Sequence, residues 1–414
     1  MDKAFLNNPG NRKRLTAPPG SAMLYGMKFH DTRHVERAIL VQVVRFGEST
    51  LQAADSLLEL GRLAETAGFD VAGELVQNRI KPDGGTMIGA GKVEELRAIA
   101  AHREADTVLV DNDLDAIQAF NLGKALGVRV LDRTELILEI FARRARSAEA
   151  KLQVELARLQ FQLKRIPVTE SQQRFKGKAN VRGPGESHLQ LRNEPLKRRI
   201  NELKKKLAAI QERQASRGAE HREWPVVSLV GYTNAGKSTL LNALAGAEAY
   251  VDDKLFATLD TKTRKVWLSP AHQILLSDTV GFIRNLPHGL VACFKSTLDM
   301  AAQADLLLIV VDAAYPHVQD HIAVCRSTLE AIGAQDVPHL LVLNKCDGGA
   351  RDPAWMRLTG HHPGAIAVSA RTGWGLDVLK RAIVAELRQS CRLWKLPAAL
   401  SRDRLRGRRE PVLS

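Results

Sequence analysis

From Glu36 onward, short β-branched runs alternate with longer stretches whose apolar residues recur every three to four positions. The runs at 38–44, 71–80, 107–110 and 128–131 predict strands, and 51–67, 92–103 and 114–126 predict helices. Strands that alternate with helices build βαβ units, and so a parallel sheet. The period then changes. Leu152, Leu156, Leu159, Leu163 and Ile166 step by four and three, as do Leu196, Ile200, Leu203, Leu207 and Ile210. These are heptad seams, and two such helices joined by a polar connector at 167–193 predict an antiparallel hairpin with a tip. Asn193 is expected to cap the second helix, with Pro195 in its first turn. A polar stretch at 214–223 separates the hairpin from a second alternating α/β segment. The expected organisation is a tail (1–35), an N-terminal α/β domain (36–146), a helical hairpin (147–217), a linker (218–224), a second α/β domain (225–390) and a tail (391–414).

Composition adds a partner class to this outline. A hydrophobic content of 45% is that of a core-forming chain, while 60 Lys and Arg against 46 Asp and Glu leave a net charge of +14. Such an excess favours a polyanion or an anionic membrane surface over a neutral metabolite alone. It gathers in the first tail (Arg12, Lys13, Arg14), in the connector (Arg174, Lys176, Lys178, Arg182), along the second hairpin helix (Lys197, Arg198, Arg199, Lys204, Lys205, Lys206) and in the last tail. A rigid arm with a basic tip suits folded RNA; the plainer alternative is that these charges are only the solvated face of a two-helix hairpin. No amphipathic helix with a large apolar face supports a membrane-surface role. Cys293, Cys325, Cys346 and Cys391 have neither CxxC nor zinc-finger spacing, which excludes a disulfide framework and fits a reducing compartment. The longest apolar run, 306–311, is far too short to span a bilayer, so a cytoplasmic monomer is expected.

The candidate chemistry begins after the strand at 226–230. Gly231, Tyr232, Thr233, Asn234, Ala235, Gly236, Lys237, Ser238 and Thr239 form GxxxxGK[ST], followed by an apolar helix expected from Leu240. Glycines let backbone N–H groups curl round phosphates, Lys237 neutralises β/γ oxygens, and the Ser238 hydroxyl ligates Mg2+. A strand at 274–276 leads into Asp278, Thr279, Val280 and Gly281. Asp278 suits a water on Mg2+, while Gly281 can offer its N–H to a γ-phosphate. Phe256, Ala257, Thr258, Leu259 and Asp260 lie on the preceding loop, where Thr258 is expected to complete the metal shell, with Thr261 and Thr263 as competitors.

The base is read further on. A strand at 340–343 ends in Asn344, Lys345, Cys346 and Asp347, and an Asp347 carboxylate can accept both the N1–H and the exocyclic amine of guanine, a donor pair that adenine lacks. Lys345 is expected to lie along the base, Asn344 to tie this loop to the phosphate loop, and a backbone N–H near Ser369 and Ala370 to read the guanine O6. Together these residues predict GTP/GDP binding and GTP hydrolysis. Phe282 stands where many GTPases place a water-orienting glutamine, so slow intrinsic turnover is expected, accelerated by a partner. Gly89, Ala90, Gly91 and Lys92 mimic a phosphate loop, but Thr86 and Val93 break the pattern and predict a tight turn before a helix. His361 and His362 are expected to be solvated loop residues.

At this point the chain resembles the HflX GTPases, ribosome-associated members of the translation-factor-like class. The likeness spans 36–387 and rests on GYTNAGKST (231–239), FATLD (256–260), DTVGFIR (278–284), Leu286-Pro287-His288 and Arg182-Gly183-Pro184-Gly185-Glu186. It implies an N-terminal parallel α/β domain with a helical hairpin ahead of a Ras-like P-loop GTPase domain. It also implies binding to ribosomal RNA of the large ribosomal subunit, with the hairpin tip reaching toward the peptidyl-transferase region, and splitting or rescue of ribosomes under stress. An apolar residue at the position of Phe282 agrees with that family. The segments 175–181 and 187–195 depart from its pattern, which points to a divergent member. Two other readings remain open from the residues: a GTPase assisting large-subunit maturation, and a non-catalytic RNA-binding scaffold stabilised by nucleotide.

Overall fold

The computed structural model describes residues 35–165, 185–219, 223–246, 255–256, 262–284, 300–349 and 353–390. The two tails and the connector cations Arg174, Lys176, Lys178 and Arg182 lie outside them, as do residues 257–261, the 286–288 motif, Cys293 and Cys391.

The first sheet contains β1 (Arg37–Arg45), β2 (Asp70–Arg79), β3 (Thr107–Val110) and β4 (Arg129–Asp132) in the order β2-β1-β3-β4, all parallel. The helices α1 (Thr50–Ala67), α2 (Ala90–His102) and α3 (Ala116–Leu126) make its crossovers. From Ala38 to Val44 every residue of β1 is buried, which is why the segment reads as one continuous run rather than as an alternation. Asp115 caps α3 through a capping box with Gln118. One helix was not legible in the periodicity: α4 (Arg133–Arg144) starts directly after β4, with Asp132 as both the last strand residue and the N-cap. No turn residue marks that boundary.

The hairpin consists of α5 (Ala148–Lys164) and α6 (Gly185–Ala219). Leu156, Ile200, Leu203 and Leu207 are buried along the expected seam. Val154 and Ala157, on another face of α5, join the same core as Ile137 and Phe141 of α4, so α5 is part of the domain's helical layer. Arg165 fixes its far end by pairing with Asp132 and Glu135 and donating to the Leu114 carbonyl. Burial raises the pKa of both carboxyl groups, and Arg165 opposes that shift. Two expectations fail on α6. Asn193 is not its cap, because the helix begins at Gly185 and holds Pro195 in its interior. A proline there removes one N–H and costs about 3 kcal/mol, a local penalty that a helix of 35 residues packed on α5 can absorb. The polar stretch from Gln214 to Ala219 is also helical rather than linker, since Gln, Arg and Ala are good helix formers whatever their polarity and outweigh Ser216 and Gly218.

The second sheet has six strands in the order β10-β9-β8-β5-β7-β6, made of β5 (Val226–Gly231), β6 (Lys262–Ser269), β7 (His272–Asp278), β8 (Leu306–Asp312), β9 (His339–Asn344) and β10 (Ile366–Ala367). All pairs are parallel except β6 with β7, and β6 is a strand that the sequence reading did not anticipate. Around this sheet lie α7 (Lys237–Ala245), α8 (Val318–Ala331), α9 (Pro353–His361) and α10 (Leu376–Ser390). Each sheet has its own apolar layer, Ile39, Val108 and Leu122 in one and Leu229, Leu240 and Leu276 in the other. A further cluster joins Leu60, Ile137 and Phe141 to Leu255, Phe256, Val280, Phe282 and Ile283, so the N-terminal domain packs against the face of the second domain that carries the phosphate loop. Among the described residues no helix is long and apolar enough to cross a membrane.

Candidate nucleotide site

The phosphate loop runs from the end of β5 to the first turn of α7, which starts at Lys237, one turn earlier than the apolar pattern suggested. Two of its glycines are required by geometry. Gly231 has φ 149° and a Cβ there would lie 2.1 Å from the Val310 carbonyl oxygen; Gly236 has φ 89° and a Cβ there would lie 2.3 Å from Asn344 Nδ2. Lys237 is buried, and its Nζ donates to the carbonyls of Gly231 (3.0 Å) and Tyr232 (2.8 Å). Burial pushes the ammonium pKa down, with Asp278 acting in the opposite sense. Ser238 Oγ donates to Asp278 Oδ2 at 2.5 Å, and Thr279 Oγ1 donates to the Leu229 carbonyl at 2.7 Å. Hydroxyl and carboxylate oxygens are hard donors of the kind that suits Mg2+. Among the described residues no group of three or more His, Cys, Asp or Glu forms a metal cage, so an ion held by Ser238 and Asp278 would draw its other ligands from nucleotide, water or residues outside that set.

The base-reading residues converge from two strand ends. Asn344 Nδ2 donates to the Ala235 carbonyl at 2.9 Å, the expected tie to the phosphate loop. Its Oδ1 accepts from the Ala370 N–H at 3.0 Å, so this N–H, a candidate reader of guanine O6, is engaged by Asn344 instead. Asp347 accepts from Ser369 Oγ at 2.6 Å and pairs with the exposed Arg371 at 2.8 Å. Lys345, at φ 65°, reaches back to Asp312 at 2.8 Å. Phosphate-binding and base-reading segments 109 residues apart in sequence are thus joined by one asparagine.

At the other end, Gly281 and Phe282 lie against the phosphate loop. Thr233 N–H donates to the Phe282 carbonyl (2.7 Å) and Phe282 N–H to the Gly231 carbonyl (2.9 Å). The Phe282 ring is buried, so it cannot orient a water in place of a glutamine. Phe256 packs edge-on against Phe141 of α4 with centroids 4.6 Å apart, and Leu255 N–H donates to Thr66 Oγ1 of α1 at 3.2 Å. Ala257, Thr258, Leu259, Asp260 and Thr261 lie outside the described residues. Thr263 is in β6 opposite Ser277, a ladder position rather than the loop position that made it a competitor of Thr258. Of the remaining candidates, Gly89 precedes α2 as its N-cap, a turn before a helix as expected, while His361 ends α9 and His362 hydrogen-bonds Gln319.

The sequence reading missed a polar network that enters this site from the N-terminal domain. Tyr232 Oη donates to Glu59 Oε1 at 2.5 Å and accepts from the Arg284 N–H at 2.9 Å. Glu59 Oε2 pairs with Arg133 at 2.5 Å, and Arg133 pairs with Asp111 at 2.7 Å. Arg133 is 2% exposed; burial works against its charge, yet Glu59 and Asp111 hold its pKa above the usual value. The Tyr232 ring stacks on His321 at 3.7 Å, and Arg284 pairs through its side chain with Asp320 at 2.9 Å. On α1, Glu59 is one of three acids, with Asp55 and Glu65, so nothing local marked it.

Three family profiles match successive parts of the chain: a GTP-binding GTPase N-terminal domain over 54–142, a GTP-binding GTPase middle region over 144–221 and a 50S ribosome-binding GTPase over 226–345. The chain is 44% identical over 365 residues to the GTPase HflX of Caldanaerobacter subterraneus subsp. tengcongensis, covering 86% of this chain and 81% of that protein. It is 39% identical over 378 residues to the GTPase HflX of Escherichia coli, covering 90% and 88%. Among solved structures, a GTP-binding protein from Sulfolobus solfataricus in complex with GDP is 27% identical, with 86% of this chain and 99% of that chain covered and a TM-score of 0.44.

Proposed function

We propose a function that starts from the family, for this chain belongs to the HflX GTPases, binds guanine nucleotide and hydrolyses GTP. In our reading it is a switch whose GTP form binds the ribosomal RNA of the large subunit and splits or rescues ribosomes under stress, hydrolysis then releasing it. The observation that carries this is the coincidence, within residues 226–345, of a profile described as a 50S ribosome-binding GTPase with the phosphate loop and the Asn344 tie.

Each residue has a proposed part. The N–H groups of Gly231, Tyr232, Asn234, Ala235, Gly236 and Thr239 line the phosphate cradle, with Thr233 held on the Phe282 carbonyl at its edge, and the field at the start of α7 adds to their pull on anionic oxygens. Lys237 neutralises phosphate oxygen charge as the γ-phosphoryl group leaves. Ser238, Asp278 and Thr258 would hold Mg2+, whose contribution when bound is to neutralise charge shared between the β- and γ-phosphates. Gly281 presents its N–H to the γ-phosphate. Asp347 reads the two guanine donors, with Ser369 Oγ orienting its carboxylate.

Phe282 supplies no group able to orient the attacking water, so turnover by the isolated protein is expected to be slow and to rise about tenfold or more with purified large subunits. Fast turnover that subunits leave unchanged would overturn this reading. Co-sedimentation with separated subunits, in GDP or a non-hydrolysable GTP analogue and across a salt series, should show retention only with large subunits and the analogue, weakening as salt rises. A sucrose gradient of mature monosomes then distinguishes splitting from maturation, because only splitting converts monosomes to subunits.

A further inference from the structure

The link from α1 to the phosphate loop lies at a junction of both domains. A cavity of about 80 Å3 there is lined by Asp55, Glu59 and Arg62 of α1, by Thr233 and Asn234 of the phosphate loop, and by Arg284 beyond Gly281. Inside this junction the Tyr232 hydroxyl uses its donor on Glu59 and an acceptor site on the Arg284 N–H. Glu59 is itself held by Arg133, which is anchored on Asp111, and Asp111 accepts further from Ser56 and Gln42. The position of residue 284 is therefore referred to a buried charge pair in another domain.

Just before it, the chain is pressed on the phosphate loop. A Cβ at Gly281 would stand 2.8 Å from Thr233 Cγ2 and 2.9 Å from Lys237 Nζ. The backbone of Phe282 is tied on both sides, its N–H to Gly231 and its carbonyl to Thr233. A γ-phosphate between Lys237 and the Gly281 N–H needs the width of its oxygens there, so residues 281–284 must draw back to admit it. A diphosphate has no group at that place and asks for no such movement. An interaction that favours the closed segment therefore penalises the triphosphate alone, by the free energy of the link.

We infer that Glu59, acting through the Tyr232 hydroxyl, is a positioning residue that holds residues 281–284 against the phosphate loop and thereby weights the site toward GDP. The inference rests on the nucleotide site proposed above. Tyr232→Phe removes the hydroxyl while keeping the ring stacked on His321 and leaving Arg133 paired; Glu59→Gln keeps the shape and weakens the charge-assisted bond.

The test measures affinities of the full chain for GDP and for a non-hydrolysable GTP analogue by titration calorimetry. Tyr232→Phe is expected to raise the ratio of analogue to GDP affinity by about three- to tenfold, the range of one lost hydrogen bond between neutral groups, here the Arg284 N–H on the Tyr232 hydroxyl. Glu59→Gln is expected to raise it less, with GDP affinity within about twofold of the parent protein. Glu59→Gln combined with Tyr232→Phe should exceed Tyr232→Phe by nothing measurable, because both act through one hydroxyl. An unchanged or lowered ratio in Tyr232→Phe, or parallel weakening of both nucleotides, overturns the inference, since a merely structural contact would move the two together. Should the parent protein bind neither nucleotide, the reading of the site itself fails; if it binds both and only the ratio stays fixed, the failure belongs to Glu59 and Tyr232 alone.

Discussion

At the base-reading end of the site, Asn344 holds Ala235 and Ala370 while Ser369 holds Asp347, and all of these residues belong to the second domain. At the switch end, Tyr232, Leu255 and Phe256 are tied to Glu59, Thr66 and Phe141, and Arg284 is tied in turn to Tyr232, so the N-terminal domain supplies part of the framework. The contrast separates two tasks. Choosing the base needs a fixed pattern of donors and acceptors, which one rigid sheet can present from neighbouring strand ends. Responding to the γ-phosphate needs a segment that can move, and here a second domain has contacts through which it can bias that movement. A partner that grips the N-terminal domain or the hairpin therefore has a physical route to the switch.

The contrast is tested most strongly at Asp347. Asp347→Asn should lower the affinity for GTP relative to xanthosine triphosphate by about a thousandfold or more, because a site built on paired hydrogen bonds rejects a base that leaves them unpaired. Competition binding measures it, and an unchanged ratio would remove Asp347 from base recognition. A smaller loss is expected at Asn344. Asn344→Ala removes two buried hydrogen bonds and leaves the Ala370 N–H without its acceptor, so GDP affinity should fall about ten- to hundredfold. If the base-reading end is as self-contained as its contacts, Glu59→Gln added to Asn344→Ala should change that loss by less than about twofold.

The mildest effect lies at His321, between the rings of Tyr232 and Tyr315 at 3.7 and 4.2 Å. Burial, followed by the charge of Arg284, pushes its pKa down from 6.5 to about 4. The folded protein thus takes up the proton less readily than the unfolded chain, and the contribution to stability is complete above pH 6.5 and declines as the pH falls toward about 4. Thermal melts should show Tm of the parent protein dropping more steeply across that window than Tm of His321→Gln. Parallel slopes would mean that the stack tolerates a charged imidazole.

How far the sequence could be read depended on whether a feature is local. The strand at 107–110 and the turn at Gly89 follow from neighbouring residues and were legible. By contrast α4 was hidden, because Asp132 closes a strand and caps a helix at once, and β6 escaped because its alternation begins beside a segment with no turn signal of its own. The start of α6 was misplaced for the opposite reason: Pro195 is a strong local signal that a long packed helix overrides.

The same division holds in the site. By itself, the chain marked the candidate phosphate loop, Asp278 and the Asn344 to Asp347 segment, because phosphate binding and guanine's donor pattern call for those residue types at short spacings. Tertiary structure alone decided that Tyr232 meets Glu59, a partner 173 residues away, and that Arg133 is buried where two acids can hold it. Those choices depend on how α1 lies across the phosphate loop, and that packing is settled by apolar surfaces of both domains, of which a polar residue on a helix face carries no trace.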